Sequence, residues 1–448
     1  MQFHIITFGC QMNAADSTWL SRALTAMGWE EVSEEEAQVF ILNTCSVREK
    51  PEQKVYSQLG RLRPLVEQHP GGFVAVGGCV AQQVGCEFWK RFPFVRLVFG
   101  TDGISNAPQA MARLAQAPDL RISLLDFSES YLERETPEYK TKAPAQAFVN
   151  IMQGCDNFCA YCIVPYVRGR QKSRSSQEIL AECRTLAEAG TREITLLGQN
   201  VNSYGLDKSG DGTSFAELLH QVAAIDGIDR LRFTTSHPKD IAPEVIRAFG
   251  ELPQLCPYLH LPLQSGSDKI LASMGRKYDT ARYLDIVDQL RKARPDIALS
   301  TDIIVGFPGE TEDDFSRTME MLERVRYEGS YSFKYNDRPG VRSVRMAGKV
   351  PEDVKSERLE RFQTAQNAIT EEIHKSVEGS RAEVILERPT RKPVEGLPGW
   401  TGHDLYNRVI NVPVGGQIAS ADLTGTLAHV TIARGRRHFL IANRMEEL

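Results

Sequence analysis

Phe148-Val149-Asn150-Ile151-Met152-Gln153-Gly154-Cys155-Asp156-Asn157-Phe158-Cys159-Ala160-Tyr161-Cys162 is the most informative stretch of this 448-residue chain. The apolar run over 148–152 predicts a strand, and three thiols follow it in the spacing C-x3-C-x2-C, with no fourth thiol nearby. A structural zinc site takes four ligands, commonly as paired C-x2-C units. Three thiolates suit a 4Fe-4S cluster that leaves one iron open for chemistry. A zinc ion with a distant fourth ligand is the alternative. Cys155, Cys159 and Cys162 are thus candidate metal ligands and catalytic residues.

Downstream of 145 the pattern alternates. Strands are predicted over 148–152, 193–197, 230–234, 258–262, 298–305 and 331–335, and helices over 176–189, 215–225, 280–294 and 311–326. Strands alternating with helices give an α/β fold, and six of them suggest an open (β/α)6 barrel related to the eight-fold form. Polar residues gather at the strand ends: Gln199 and Asn200, Ser236 and His237, Gln264 and Ser265, Glu310, Tyr335 and Asn336. Function concentrates at that face in barrels.

Upstream, Cys10, Cys45 and Cys79 each end an apolar run, at intervals of 35 and 34 residues. That is about one βα unit each. Residues 1–118 read as a doubly wound parallel-sheet domain, with Asp16-Ser17-Thr18-Trp19-Leu20 opening a helix after Cys10. Parallel strands place their carboxyl ends along one edge, where ligands bind. Three cysteines at three strand ends can therefore converge on a second cluster. The other three cysteines read as packing groups: Cys183 on an apolar helix face, Cys86 beside Phe88 and Trp89, and Cys256 before Pro257.

Residues 119–144, with Pro137 and Pro144 and many charges, read as a linker. The barrel domain is expected over 145–374, closing with a charged helix over 354–374. Residues 375–443 read as a small all-β barrel, with strands over 382–386, 408–412, 423–430 and 438–442. Residues 376–444 hold nine Lys or Arg against six Asp or Glu. Arg434, Arg436 and Arg437 cluster beside His438, and Arg388, Arg391 and Lys392 cluster in a loop. Small β-barrels with basic loops hold RNA; a solvated face is the plainer reading.

Composition agrees with this plan. The chain is 42% hydrophobic and 25% charged, which excludes collagen, bulk disorder and a disulfide-stapled mini-protein. No apolar run reaches membrane-spanning length, and Met1-Gln2-Phe3-His4 carries no basic leader, so a cytoplasmic protein is expected. Nine cysteines is an odd number and favours metal binding or catalysis over disulfides. The net charge of −5 argues against a globally basic nucleic-acid binder, though not against a local basic patch.

The C-x3-C-x2-C loop after the first barrel strand resembles that of the radical S-adenosylmethionine enzymes. The three preceding cysteines resemble the N-terminal domain of methylthiotransferases, and the tail resembles a TRAM domain. Thr7-Phe8-Gly9-Cys10-Gln11-Met12-Asn13, Asn43-Thr44-Cys45-Ser46-Val47-Arg48-Glu49-Lys50, Gly78-Cys79-Val80-Ala81-Gln82, Gly198-Gln199-Asn200, His260-Leu261-Pro262-Leu263-Gln264-Ser265 and Gly306-Phe307-Pro308-Gly309-Glu310 are similar to the tRNA-acting branch. One departure stands out. Where that branch usually has Tyr-Ser-x-Arg-Pro-Gly-Thr, this chain has Tyr335-Asn336-Asp337-Arg338-Pro339-Gly340-Val341.

The resemblance implies two 4Fe-4S clusters and S-adenosylmethionine. The open iron at Cys155/Cys159/Cys162 would chelate that cofactor, whose cleavage gives a 5′-deoxyadenosyl radical. Tyr161 and Phe158 would flank the adenine. Asn200, Gln264, Gly306, Gly309 and Glu310 would contribute further cofactor contacts. The Cys10/Cys45/Cys79 cluster would carry the sulfur that is methylated and passed to C2 of an isopentenylated adenosine next to the anticodon. The partners implied are the tRNA anticodon stem-loop and a small electron-transfer protein as reductant, with no membrane. Arg168, Arg170, Lys172 and Arg174, together with Arg338, Arg434, Arg436 and Arg437, would grip RNA; internal pairing with carboxylates is the alternative for the first four. Competing readings are a sibling that methylthiolates a ribosomal protein aspartate, usually with Gly-Cys-Pro-Lys-Asn where Gln11 and Met12 stand, a sibling acting on threonylcarbamoyl adenosine, and a non-catalytic RNA-binding metal protein.

Overall fold

The apolar runs before Cys10, Cys45 and Cys79 are adjacent parallel strands, Gln2–Thr7, Val39–Thr44 and Phe73–Gly78. This is a computed structural model, and it describes residues 1–46, 51–134 and 143–447. Val47, Arg48, Glu49 and Lys50 of the second cysteine motif and residues 135–142 of the expected linker lie outside the described residues.

The first sheet has six parallel strands in the order Glu30–Glu31, Gln2–Thr7, Val39–Thr44, Phe73–Gly78, Val95–Phe99 and Ile122–Leu124. Its last strand lies inside the stretch read from sequence as linker. The central strands are buried on both faces, as parallel sheets require. Val39, Ile41, Phe73 and Ala75 pack against Leu20, Leu24 and Met111 on one face. Phe40, Leu42, Val74 and Val76 pack against Val55, Leu59 and Leu62 on the other. The chain steps from Gln2–Thr7 to Glu30–Glu31 on one side, then to Val39–Thr44 on the other. Ligands bind at such a reversal of strand order, and Cys10 and Cys45 leave the two strands that define it.

The second unit holds parallel strands Gln146–Asn150, Glu193–Leu197 and Arg230–Phe233 in one sheet and Tyr258–His260, Ala298–Val305 and Gly329–Lys334 in another. A parallel bridge from Leu231 to Leu255 joins them. Six strands follow in chain order, with Gln146–Asn150 and Gly329–Lys334 at the two ends, so the barrel is open. Helices Ser176–Glu188, Phe215–Ala223, Pro243–Glu251, Thr280–Ala293 and Glu312–Val325 share one core with the outward-facing strand residues. Two of these helices start at capping boxes, Ser214 with Glu217 and Thr311 with Asp314.

The tail is a closed barrel of five strands: Arg381–Pro389, Gly399–His403, Val409–Pro413, Leu440–Ala442 and Leu427–Gly435. Four were read from sequence; Gly399–His403 was not. The long helix Glu352–Ser376 precedes this barrel. Arg230 and Arg232, on the third strand of the open barrel, reach into it. Arg230 donates to the carbonyls of Glu383 at 2.8 Å and His403 at 3.1 Å. Arg232 donates to Asp404 O at 2.6 Å and Leu405 O at 3.0 Å. Glu193 lies 3.1 Å from Arg232 and 3.6 Å from Arg230, so both cations are paired as well as bonded. Among the described residues no helix is long and apolar enough to cross a membrane.

Candidate active site

The N-terminal cysteines sit just past their strands, Cys79 as the first residue of the helix Cys79–Val84, in positions locked by polar residues of their own motifs. Cys10 caps the helix Gln11–Ala26, and its Sγ lies 3.3 Å from Asn13 Oδ1. Asn13 Nδ2 donates to Asn43 Oδ1 at 2.8 Å and to Thr44 O at 2.9 Å. Asn43 Nδ2 returns a bond to Asn13 O at 2.9 Å. Thr44 Oγ1 donates to Gly77 O at 2.6 Å and accepts from Ala81 N at 3.3 Å. The three strand ends are thereby tied into one frame. Gly9 turns into Cys10 with φ +119°, and a Cβ there would lie 2.2 Å from Cys45 Cβ. Cys10 and Cys45 are in contact through their thiols. A hydrogen bond from the Cys45 thiol, with the nearby Arg168 charge, brings the Cys10 thiol down to about 6 against the cost of burial.

The barrel cysteines lie on the loop after Met152–Gln153, anchored from three sides. Gly154 N donates to Gln199 Oε1 at 2.6 Å, Ala160 N to Met274 O at 2.7 Å, and Ser343 N to Ala160 O at 2.9 Å. Arg276 is buried, with Nη1 3.6 Å from Cys159 Sγ and Nη2 donating to Pro262 O at 3.2 Å. Burial and the neighbouring Cys159 push the Cys162 thiol up to about 12 in the ligand-free chain, and burial also raises Cys155. The sequence reading missed Arg276; its place just after the helix-ending Gly275 looks like an ordinary basic helix terminus.

The two triads face one another. Cys79 shares a buried apolar cluster with Ile163 and Val167, which follow Cys162, and with Val341. Arg338 donates to Ser46 O, beside Cys45, at 2.9 Å, and its charge acts on Cys162. It therefore stands between the triads. No set of three His, Cys, Asp or Glu among the described residues is drawn together tightly enough for a single metal ion. A cubane binds each thiolate to a different iron, so its ligands frame a volume and not a point.

Around the barrel triad, buried polar atoms lack partners among the described residues: Asn200 Oδ1, Asn202 Oδ1 and Nδ2, Ser236 Oγ and His237 Nε2. Such orphans are rare unless a bound group completes them. His237 Nδ1 accepts from Lys239 N at 3.2 Å, which leaves the proton on Nε2. Burial, with the charges of Arg276, Lys239 and Lys277, holds its pKa down at about 2, so the ring is a neutral donor. Asp240 ties Asn200, at 2.7 Å, to Asn157 of the cysteine loop, at 3.1 Å. Unpaired donors and acceptors beside a three-thiol loop fit a zwitterionic nucleoside such as S-adenosylmethionine.

Of the other expected cofactor contacts, Tyr161 stands edge-on to Phe307, with ring centroids 6.4 Å apart. Phe158 is 41% exposed and packs against Tyr166, with Arg170 over its ring. Glu310 is engaged in its own loop, accepting from Gly306 N at 2.8 Å and Arg358 Nη1 at 2.9 Å; burial raises its carboxyl to about 7. The space over Gly306 is filled by the Lys355 side chain, whereas that over Gly309 is open. Gln264 is buried, bridging to the neighbouring strand through its backbone.

The basic run after the cysteine loop needs correction. Lys172 is buried against Asp102 at 2.6 Å. Arg174 is buried between Glu182 and Glu133, the latter at 2.8 Å. Arg168 is buried at the first sheet, with Nη2 3.3 Å from Asn13 Oδ1. Lys172–Ser173 pairs with Met152–Gln153 as a short antiparallel ribbon, which turns these cations inward to carboxylates contributed by distant elements. They bind domains together and are not available to phosphate. Only Arg170 is exposed, and it pairs with Asp156 at 2.6 Å. Arg434, Arg436 and Arg437 are exposed on the small barrel, Arg434 lying 3.4 Å from Glu395.

Comparison with known proteins agrees with this architecture. Residues 149–322 match the model of the Radical SAM superfamily, and residues 2–100 match that of the uncharacterized protein family UPF0004. Among solved structures, the radical S-adenosylmethionine methyltransferase TsrM from Kitasatospora setae aligns with TM-score 0.57 at 13% identity, over 77% of this chain and 74% of that one. The cobalamin-dependent enzyme OxsB aligns with TM-score 0.51 at 12% identity, over 82% of this chain and 56% of that one. These likenesses establish the fold. Fold and thiol loop together define a radical S-adenosylmethionine enzyme.

Full-length relatives narrow the class. A protein of Nitratidesulfovibrio vulgaris is 60% identical over 99% of this chain and 98% of its own length. One of Oleidesulfovibrio alaskensis is 56% identical over 98% and 97%, and one of Geobacter metallireducens is 45% identical over 98% and 97%. All three carry the same name, and this chain belongs to their family, the tRNA-2-methylthio-N(6)-dimethylallyladenosine synthases.

Proposed function

We propose that this chain places a methylthio group on C2 of an isopentenylated adenosine beside the anticodon of tRNA. The observation that carries the reading is the confrontation of two cysteine triads across one domain interface, where Cys79 packs on Ile163, the residue after Cys162. When bound, a 4Fe-4S cluster with S-adenosylmethionine at Cys155, Cys159 and Cys162 supplies radical chemistry, and a second cluster at Cys10, Cys45 and Cys79 supplies sulfur. An aromatic C–H such as C2 of adenine offers no foothold to a polar nucleophile, which is why a radical is required.

The chain's own residues orient and shield. His237 and Asn200 offer a donor and an acceptor to the nucleoside, Tyr161 is held against the buried ring of Phe307 beside the thiol loop, and Arg276 steadies Cys159. The target base leaves its stack to reach the barrel mouth, with exposed cations of the small barrel holding phosphate. A small electron-transfer protein of the cytoplasm provides the electrons.

Nucleoside mass spectrometry tests the reading. Substituting Cys155, Cys159 or Cys162 abolishes S-adenosylmethionine cleavage. Substituting Cys10, Cys45 or Cys79 leaves cleavage and stops methylthiolation. Methylthio product from the second group would sink the sulfur-donor role.

A further inference from the structure

Arg168 caps the short helix Val164–Val167 and carries its guanidinium out of the open barrel into the N-terminal sheet, where its side chain is 5% exposed. There it lies 3.3 Å from Asn13 Oδ1 and 3.8 Å from Asp16 Oδ2. The thiols of Cys79 and Cys10 and a second cation, Arg134, also act on it. Arg134 binds the other oxygen of Asp16 at 2.7 Å, and burial keeps the nearby Tyr131 phenol neutral. Two buried guanidinium groups thus share one carboxylate. A buried charge without its counter-charge is costly, by several kcal/mol in general. The guanidinium charge is thus directed at Cys10 and Cys79, and a 4Fe-4S core held by three thiolates would be an anion that balances it.

We propose that Arg168 is a positioning residue that supplies the counter-charge of the Cys10/Cys45/Cys79 centre and thereby sets its reduction potential. Reduction adds one electron and no proton to that centre, making it more anionic; a fixed buried cation favours the reduced form. The inference rests on the reading above that these cysteines hold a cluster.

The test uses the full chain with Cys155, Cys159 and Cys162 changed to alanine, so that only the N-terminal centre loads. Iron content is measured, and the midpoint potential is taken by redox titration followed by electron paramagnetic resonance. Arg168→Met shifts the midpoint negative, so that at the parent's midpoint the reduced-to-oxidised ratio falls about ten-fold or more. Arg168→Lys keeps the midpoint close to the parent's. Asp16→Asn, which removes the competing anion, shifts it positive; this variant decides the matter alone if Arg168→Met does not retain iron. An iron-loaded parent whose midpoint ignores Arg168→Met, or an Asp16→Asn shift of the same sign as Arg168→Met, overturns this inference alone. A parent without iron overturns the cluster reading beneath it.

Discussion

Replacing Gly9 with alanine separates a steric demand from a merely flexible turn. The methyl carbon would sit 2.2 Å from Cys45 Cβ and 2.8 Å from Cys45 Sγ, at φ +119°. Carbon atoms in contact prefer about 3.5–4.0 Å, so Cys45 must withdraw by more than about 1 Å. Backbone strain of about 1–3 kcal/mol and overpacking of about 1–3 kcal/mol together make about 2–6 kcal/mol. The cheapest relief is for the Cys45 side chain to leave the triad, because the backbone on either side is pinned by Asn13, Asn43 and Thr44. Gly28→Ala is the control: φ is +84° and nothing lies within 4 Å of the added carbon, so only the strain remains. After anaerobic reconstitution, Gly9→Ala should hold about half the iron of the parent, cleave S-adenosylmethionine and make no methylthio product. Gly28→Ala should keep its iron. Full iron and full methylthiolation in Gly9→Ala would refute the packing argument.

Lys172→Met leaves the Asp102 carboxylate buried and unpaired, at a cost of about 3–5 kcal/mol; denaturant unfolding should show it, while tRNA affinity of the folded protein stays unchanged. Arg436→Ala and Arg437→Ala should do the opposite, leaving stability intact and lowering the slope of log affinity against log salt by about 0.9 for each phosphate no longer neutralised; an unchanged slope removes those side chains from the RNA surface. In cluster-free protein, alkylation of Cys10 by iodoacetamide follows its thiolate, which forms as pH rises through about 6 under the influence of Cys45 and Arg168. Half-maximal reactivity near pH 6 is expected, moving upward in Arg168→Met, and a wild-type value above pH 8 would contradict the geometry.

Much of this was legible in the chain because the signals are local. Apolar runs such as those over 193–197 and 298–305 coincide with the strands Glu193–Leu197 and Ala298–Val305. Cysteines that end such runs must lie at one sheet edge. What the chain does not display is partnership across long separations. Lys172 and Arg174 look like a phosphate grip until Asp102 and Glu133 arrive from other elements. Gly399–His403 escaped detection because two of its five residues are glycine, yet Gly402 is what lets the strand close: a Cβ there would lie 2.0 Å from Ile385 O. Arg276 and His237 matter through burial, which no local pattern encodes.

Arg230 and Arg232 drive their guanidinium groups into the carbonyls of Glu383, His403, Asp404 and Leu405, which ties the small barrel to the third strand of the open one. On the proposed reading, an RNA gripped by its cationic loops would sit at a set distance from the thiols, as between the jaws of a caliper, and selection would favour an arm whose target nucleotide spans that gap.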